Sequence, residues 1–279
     1  MKLTRVQTAY HGEACSLLSL QRTLTDYEVD FCYRNWLPSA TNNIAVSKAF
    51  FTPMDLASQL HLWLPTDSRE NVRIVDLAAG IGMLTHSYRE ASLDRNKIES
   101  VCIELCQEFI DVGKRLLPDV RWVHGSIFDK EVWQDLGFFD ASVLNPPFGS
   151  YSIDCDWINY KKGRVELKAV EVAYRFSRNG VAILPPSSAK WICSDGNKRA
   201  VGNYDKFRKY NPHIEFTGSS IDVNQFESFT HTKIKCEIVP FGDDDDNEYT
   251  SKDIGFGIEE SGSILGKEAI PESSQLEIF

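Results

Sequence analysis

Short apolar runs alternate with amphipathic stretches along most of the chain. Predicted strands, rich in Val, Ile, Leu and aromatic residues, cover residues 73–82 (with a glycine-containing turn at the end), 98–105, 120–128, 139–145, 179–186 and 233–241. Helices are predicted around residues 13–25, from the first strand to about residue 91, after the second strand, and at 166–177. Strands that alternate with helices indicate right-handed βαβ units. We therefore expect an α/β fold: a mostly parallel twisted sheet with helices on both faces and a late antiparallel strand.

The composition fits one globular α/β domain with appendages. A chain of 279 residues of which 42% are hydrophobic can bury a sizeable core. It has no apolar run long enough to cross a bilayer, and its first ten residues lack the apolar stretch of a signal peptide, so we expect a cytoplasmic protein. The seven cysteines form no C-x-x-C pair and have no histidine at zinc-like spacing, which predicts free thiols and no metal site.

Charge is distributed unevenly along the chain. From Phe241 onward there are eleven Asp and Glu against two Lys, a balance of −9, and since the whole chain carries −10, residues 1–240 have a balance of −1. The acidic pI therefore does not exclude a polyanionic substrate. We predict three parts, namely an N-terminal helical extension at residues 1–49, the α/β domain at 50–241 and an acidic, disordered tail at 242–279.

The first three predicted strands end in residues suited to binding a nucleoside. In parallel sheets, ligands bind beyond the carboxyl ends of the strands. The first end is a turn of small residues that a ligand can approach closely, the second has a carboxylate that can accept both ribose hydroxyls, and the third has a serine. The candidates are Asp76, Ala78, Gly80, Gly82, Glu104, Leu105, Ser126 and Ile127. Their structural alternatives are a packing turn, a solvated strand end and a plain turn residue.

The phosphate-binding motifs of other nucleotide enzymes are absent from the sequence. It contains no G-x-x-x-x-G-K-[ST] loop, and Thr85 stands where the dinucleotide fingerprint would have its third glycine. A pocket shaped for adenosine without a phosphate site favours S-adenosylmethionine (SAM) over NAD.

The segment Asn145-Pro146-Pro147-Phe148 after the fourth predicted strand is the most specific pattern in the chain. Two adjacent prolines cannot donate to a sheet ladder, so the chain leaves the strand in a preset conformation. The segment thereby presents an amide, bare carbonyls and an aromatic face at a strand end. The structural alternative is a proline-capped loop with a core phenylalanine.

Together these motifs resemble those of class I SAM-dependent methyltransferases that modify amines, and they are most similar to N6-adenine DNA methyltransferases. The resemblance extends over about residues 50–241 and implies a Rossmann-like domain with SAM as cofactor. The matching segments are FFTPMDLA (50–57), VDLAAGIG (75–82), CIEL (102–105), HGSIFD (124–129), LNPPF (144–148) and FESFTHTKI (226–234).

The resemblance also assigns roles to further residues. It implies that Phe51, Thr52 and Asn145 contribute to the cofactor site and that Phe229 lies near the target base. The family usually has Asp where this chain has Ser126, so recognition of the cofactor's adenine amine is expected to weaken or to shift to Asp129.

In this interpretation the Asn145 side-chain oxygen and the Pro146 carbonyl each accept one N–H bond from the adenine amine. The amine is a poor nucleophile because its lone pair is delocalised into the ring, and these bonds favour a pyramidal nitrogen. Pro147 keeps the loop stiff, and Phe148 stacks on the extruded base.

The acceptor is predicted to be DNA, with short or relaxed sequence specificity. Residues 187–225 form a candidate nucleic-acid-reading insertion in which cations and aromatic residues alternate. Its candidate contacts, with those of the segment after the catalytic loop, are Lys161, Lys162, Arg164, Lys190, Trp191, Lys198, Arg199, Tyr204 and Lys206. The alternatives are methylation of RNA adenine or of protein glutamine, and a binding module that has lost activity.

The chain closes with Gln275, Leu276, Glu277, Ile278 and Phe279, three of them large and apolar, after a polar acidic stretch. This peptide resembles the bacterial sliding-clamp-binding motif, which implies that Gln275, Leu276, Ile278 and Phe279 dock in a groove of a DNA polymerase clamp. The alternative is that these residues add to the domain's own core or sheet.

Overall fold

The computed structural model describes residues 3–37, 51–65, 71–150, 152–195, 198–200, 202–219, 221, 223, 226 and 235–243. Several predictions lie outside these residues: Phe229, the acidic tail beyond Asp243, and the peptide with Gln275, Leu276, Ile278 and Phe279. Among the described helices, none is both long and apolar enough to cross a membrane. The His, Cys, Asp and Glu residues in these ranges form no group of three or more that could hold a metal ion.

Seven of the described strands form one mixed sheet. The strands are β1 Val72–Leu77, β2 Ile98–Glu104, β3 Arg121–His124, β4 Ala141–Leu144, β5 Gly180–Leu184, β6 Trp191–Ile192, β7 Lys198–Arg199, β8 Ile214–Phe216 and β9 Glu237–Asp243. The order across the sheet is β3-β2-β1-β4-β5-β9-β8, while β6 and β7 pair as a separate hairpin. Strands β1 to β5 pair in parallel, and β9 runs antiparallel to β5 and β8. The predicted sheet, with its late antiparallel strand, is confirmed.

Helices cover both faces of this sheet. They are α1 Arg5–Leu18, α2 Asp26–Asn35, α3 Met54–Ala57, α4 Met83–Ala91, α5 Gln107–Leu116, α6 Val165–Ser177 and α7 Asn203–Arg208. Side chains alternate along β1, so Ile74 packs in one core cluster with α1, α2, α4 and α5. Val75 and Leu77 pack in the other cluster, with α6 and α7.

The N-terminal helices differ from the prediction. Instead of one helix at residues 13–25 there are two, and residues 19–25 connect them. Thr4 and Thr25 each form a capping box, with Gln7 and Glu28 respectively, and each box fixes the start of a helix. The second cap at Thr25 is therefore a helix start where the prediction had a helix end.

The predicted insertion at residues 187–225 is partly framework. Strand β8 lies within it and completes the main sheet by pairing with β9. The sequence analysis did not predict β8 because three residues give too short an alternation to recognise. The β6–β7 hairpin and α7 form the rest of the described segment.

Candidate active site

The carboxyl ends of four parallel strands meet at one edge of the sheet. Leu77, the last residue of β1, pairs with Ile103 in β2 and with Leu144 in β4. Glu104 at the end of β2 pairs with His124 at the end of β3. The four predicted motifs therefore follow neighbouring strand ends, and the strand order reverses between β1 and β4, where open α/β sheets bind ligands.

The turn after β1 is built from residues in left-handed conformations. Ala78, Gly80 and Gly82 have φ angles of 59°, 58° and 88°. A Cβ on Gly80 would lie 3.0 Å from the Phe51 ring, so glycine lets this ring lie close against the turn. The structure thus brings Phe51, from the upstream segment, to the predicted cofactor turn.

Glu104 is bound to the same turn. Its carboxylate accepts hydrogen bonds from the backbone N–H groups of Gly80 and Cys106, each at 2.8 Å. Burial raises the pKa of Glu104, while the two backbone bonds oppose that shift. The next residue, Leu105, is apolar and 66% exposed, which suits it to cover a flat ring.

Asp76 is fully buried and supports the turn from inside. Its Oδ2 accepts hydrogen bonds from the backbone N–H of Thr85 at 3.2 Å and from its hydroxyl at 2.9 Å, and its Oδ1 has no partner. Burial raises the pKa of Asp76 to about 7, although the Thr85 bonds oppose the shift. Thr85, which the sequence analysis treated as a missing glycine, therefore ties β1 to the first turn of α4.

After β3, the predicted contacts Ser126 and Ile127 lie in a tight turn and at the edge of the core. The Ser126 hydroxyl accepts a hydrogen bond from the Phe128 backbone at 3.2 Å, which is the geometry of a turn residue. Ile127 is buried in the core cluster, and its carbonyl accepts a hydrogen bond from the Trp133 ring at 2.8 Å. Asp129, the predicted substitute for the family's aspartate, is exposed.

The predicted catalytic segment, residues 145–148, is joined to the upstream segment through Asn145. Its Nδ2 donates to the Thr52 hydroxyl at 2.9 Å, across 93 positions of sequence, and Thr52 is only 4% exposed. In the same segment Pro146 is buried, Pro147 is exposed and Phe148 is half-buried against the cluster that contains α1 and α2. Two motifs far apart in sequence thus form one site.

The turn also contacts the N-terminal helices, which the sequence analysis did not connect with the site. The Tyr33 hydroxyl donates to the carbonyls of Ile81 and Gly82 at 3.3 and 3.4 Å. Trp36 stacks on Phe51 with ring centroids 5.9 Å apart. The amphipathic spacing of α2 indicates that Tyr33 is a core residue, but it does not indicate which element Tyr33 contacts.

The predicted basic surface is more strongly paired than its sequence indicates. Lys190 and Arg208 contact the carboxylate of Glu215, and Arg199 contacts Asp205 at 2.7 Å. Lys198, Lys206, Lys161 and Lys162 are exposed.

Two predicted substrate contacts are also altered by the fold. Tyr204, predicted to contact nucleic acid, is buried and its hydroxyl donates to Glu215 at 3.1 Å, so that prediction is wrong for this side chain. Arg164 is bonded to the buried carboxylate of Glu166 at 2.8 Å. Trp191 is 37% exposed, with the Arg199 guanidinium 5.7 Å from its ring centroid.

The chain is similar to known methyltransferases. No model of a known protein family matches it. It is 24% identical over 119 residues to the type II methyltransferase M.BsuBI of Bacillus subtilis, a match that covers 36% of this chain and 24% of that protein. The match therefore spans about a quarter of the length of M.BsuBI.

Solved structures share the fold. The methyltransferase subunit of a type I restriction-modification system from Streptococcus thermophilus has 14% identity and a TM-score of 0.54, over 70% of this chain and 45% of that one. A Listeria monocytogenes protein assigned to the class I SAM-dependent methyltransferases has 12% identity and a TM-score of 0.52, over 89% of this chain and 84% of that one. The chain has the Rossmann-like fold of class I methyltransferases.

Proposed function

We propose that this chain is a SAM-dependent methyltransferase that modifies the N6 amine of adenine in DNA. The observation that carries the proposal is the hydrogen bond from Asn145 to Thr52 at a strand end. The NH2 group and the oxygen of an amide are bonded to the same planar carbon, so a hydrogen bond that holds the NH2 also fixes the direction of the oxygen. A fixed oxygen beside the rigid Pro146 carbonyl is a pair of acceptors suited to a planar amine.

SAM is the expected cofactor, and the residues around the turn fit it. Phe51 packs against the turn at Gly80, the Glu104 carboxylate suits ribose hydroxyls, and the exposed Leu105 suits an adenine face. When bound, SAM supplies a methyl group activated by its sulfonium. Ala78, Gly82, Ser126 and Ile127 stay predicted contributors to the same site.

The chain's own residues contribute position and electrostatics to the reaction. The Asn145 oxygen and the Pro146 carbonyl accept the two N–H bonds of the adenine amine, which favours a pyramidal nitrogen whose lone pair faces the methyl group. Phe148 stacks on the base and contributes about 1–3 kcal/mol. Extruding a base from duplex costs about a few kcal/mol, so Phe148 holds a flipped base without driving the flip.

DNA is the acceptor that we propose, with short or relaxed sequence specificity. M.BsuBI, to which part of the chain is similar, is named as a type II methyltransferase. The exposed Lys161 and Lys162 and the exposed face of Trp191 supply candidate contacts to a phosphate backbone and to bases. RNA adenine and protein glutamine also present planar amines, so they are the alternatives to exclude.

The first experiment identifies the acceptor. Purified chain is incubated with methyl-labelled SAM and with DNA, RNA or protein, and the products are hydrolysed and identified. We expect N6-methyladenine in DNA, and single-molecule sequencing will give its sequence context. Label in RNA or in glutamine would replace the proposed acceptor, and SAM binding without transfer to any of them would indicate a binding module.

Substitutions in the catalytic segment test the mechanism. We expect Asn145→Ala to abolish methyl transfer while SAM binding, measured by calorimetry, is retained. Thr52→Val removes the bond that orients Asn145 and should lower kcat by up to about 100-fold, the cost of a small misplacement of a reacting group. Thr52→Ser retains the hydroxyl and is the matched control. Normal turnover in Asn145→Ala would refute the mechanism.

We also propose a partner for the segment beyond the described residues. The peptide Gln275, Leu276, Glu277, Ile278, Phe279 matches the clamp-binding pattern, and an acidic segment separates it from the α/β domain. Covalent attachment to a clamp-bound peptide would raise the local concentration of the enzyme on DNA threaded through the clamp. This suits a domain whose balance of charge is close to neutral.

A further inference from the structure

Two hydrogen bonds hold the backbone of Gly149, the residue that follows the catalytic segment. The N–H of Gly149 donates to Glu166 Oε2 at 2.9 Å, and its carbonyl accepts a hydrogen bond from the Val165 backbone at 2.9 Å. Gly149 has a φ of 139°, in the region that favours glycine. The chain therefore leaves Phe148 in a direction set by the start of α6.

The second oxygen of Glu166 reaches another loop. Its Oε1 accepts a hydrogen bond from the Ser188 hydroxyl at 2.7 Å and from Arg164 Nε at 2.8 Å. Ser188 is buried in the segment between β5 and the β6–β7 hairpin. One carboxylate thus joins the loop after β4, which carries the catalytic segment, to the loop after β5, which leads to the proposed acceptor-binding hairpin.

The burial and the hydrogen bonds of Glu166 indicate that it does more than fill space in the core. Its side chain is fully buried, and a buried carboxylate is costly unless it is well paired. An apolar side chain of similar size would fill the same space at a lower desolvation cost. What the carboxylate adds is a set of directional bonds to Gly149, Ser188 and Arg164.

We infer that Glu166 is a positioning residue that fixes the catalytic segment relative to the acceptor-binding hairpin. The inference rests on the proposed function, because it takes residues 145–148 as the site of the reacting amine. The bonds of Glu166 go to Gly149, Ser188 and Arg164, which lie outside residues 145–148 and outside the cofactor turn. Glu166 acts through Gly149, whose displacement would move Phe148 and the Pro146 carbonyl away from the base.

Glu166→Gln tests this role with little change in shape. Glutamine has one accepting oxygen and an NH2 group that cannot accept, so at least one of the bonds to Gly149, Ser188 and Arg164 is lost. We expect kcat to fall by up to about 100-fold, since a misplacement near 1 Å has that effect. SAM affinity should stay unchanged because the cofactor turn is not involved. A second variant, Glu166→Leu, has no accepting oxygen, so amide exchange at Gly149, followed in the full chain with SAM present, should accelerate by roughly tenfold or more.

The control is Asp140→Asn. Asp140 also accepts a backbone N–H bond, from Arg73 at 2.6 Å, but it is exposed and immediately precedes β4, at the amino ends of the strands and away from the catalytic segment. We expect this variant to lower the melting temperature without changing kcat or exchange at Gly149. If the two variants lose kcat in the same proportion to their loss of melting temperature, Glu166 is merely structural and the inference is wrong.

The exchange measurement does not depend on catalysis. Unchanged exchange at Gly149 in Glu166→Leu, which keeps the volume but has no accepting oxygen, would overturn the inference whatever the activity. If the unsubstituted chain fails to methylate DNA, the proposed function fails, while the exchange data still decide whether Glu166 holds the loop.

Discussion

Asp76 has a buried carboxyl group in which only one oxygen is partnered. Thr85 donates twice to Oδ2, and Oδ1 has no partner. An unpaired buried oxygen is costly when charged, which explains why burial raises the pKa of Asp76 from 3.8 to about 7. The residue therefore favours its protonated form in the folded chain more than in the unfolded chain.

The stability of the chain should fall as Asp76 ionises. Because the folded pKa lies above the unfolded one, the stabilising contribution is complete below about pH 4 and is lost as the pH rises to about 7. We expect the unfolding free energy of the native chain to decrease relative to Asp76→Asn between pH 4 and pH 7. Denaturant unfolding of both ligand-free proteins measures this difference. Parallel pH curves for the two proteins would contradict the raised pKa.

At the scale of elements, several basic residues of the segment 187–225 form ion pairs that the sequence did not indicate. Lys190 lies just before β6, Arg199 in β7 and Arg208 in α7, and their carboxylate partners lie in β8 and α7. These pairs form between elements, so spacing along the chain gives no sign of them. They hold the hairpin, α7 and β8 together, which reduces the charge that this surface offers to DNA.

Lys161 and Lys162 should therefore contribute more to DNA affinity than their number indicates. Both are exposed on the turn that lies between Tyr160, which is buried, and Gly163, which is exposed. We expect Lys161→Ala/Lys162→Ala to weaken binding to all sequences and to reduce the slope of log affinity against log salt by about 2. Fluorescence anisotropy over a series of salt concentrations measures both the affinity and this slope.

Lys97→Ala/Lys114→Ala is the control, because it removes the same charge from α5 and from the residues just before β2. An equal loss of slope in both double variants would show that the effect is general charge and not a contact of this turn.

At the scale of the whole molecule, the α/β domain includes the N-terminal helices. Arg115 of α5 donates to the carbonyls of Leu18 and Leu20, and Tyr33 of α2 bonds to the turn after β1. The predicted extension is therefore a support of the cofactor turn. The acidic segment and its final peptide lie outside the described residues.

The proposed clamp contact is tested on the isolated peptide, which needs no fold. A labelled peptide of residues 274–279 should bind purified bacterial clamp with micromolar affinity, about −8 kcal/mol. The control peptide carries Gln275→Ala and Phe279→Ala, and it should not bind. Equal binding by both peptides, or binding by neither, would exclude the clamp as a partner.

The sequence by itself determined the strands β1 to β5 and β9, the helices α4, α5 and α6, and the motifs at the strand ends. These follow from local periodicity and from short patterns such as Asn145-Pro146-Pro147-Phe148, which need no distant partner to be recognised. The sequence did not determine the start of α2. Threonine occurs at helix starts and in loops, so the residue type of Thr25 does not by itself identify a cap.

Only the tertiary structure decided which distant residues complete the site. Thr52 orients Asn145, Thr85 holds Asp76, and Glu166 joins the loops after β4 and β5. The fold also buried Tyr204, which the sequence had placed at a nucleic-acid-binding surface. The physical reason is that hydrogen bonds and ion pairs between elements depend on where the sheet order and the connections bring side chains together, and periodicity carries no information about that.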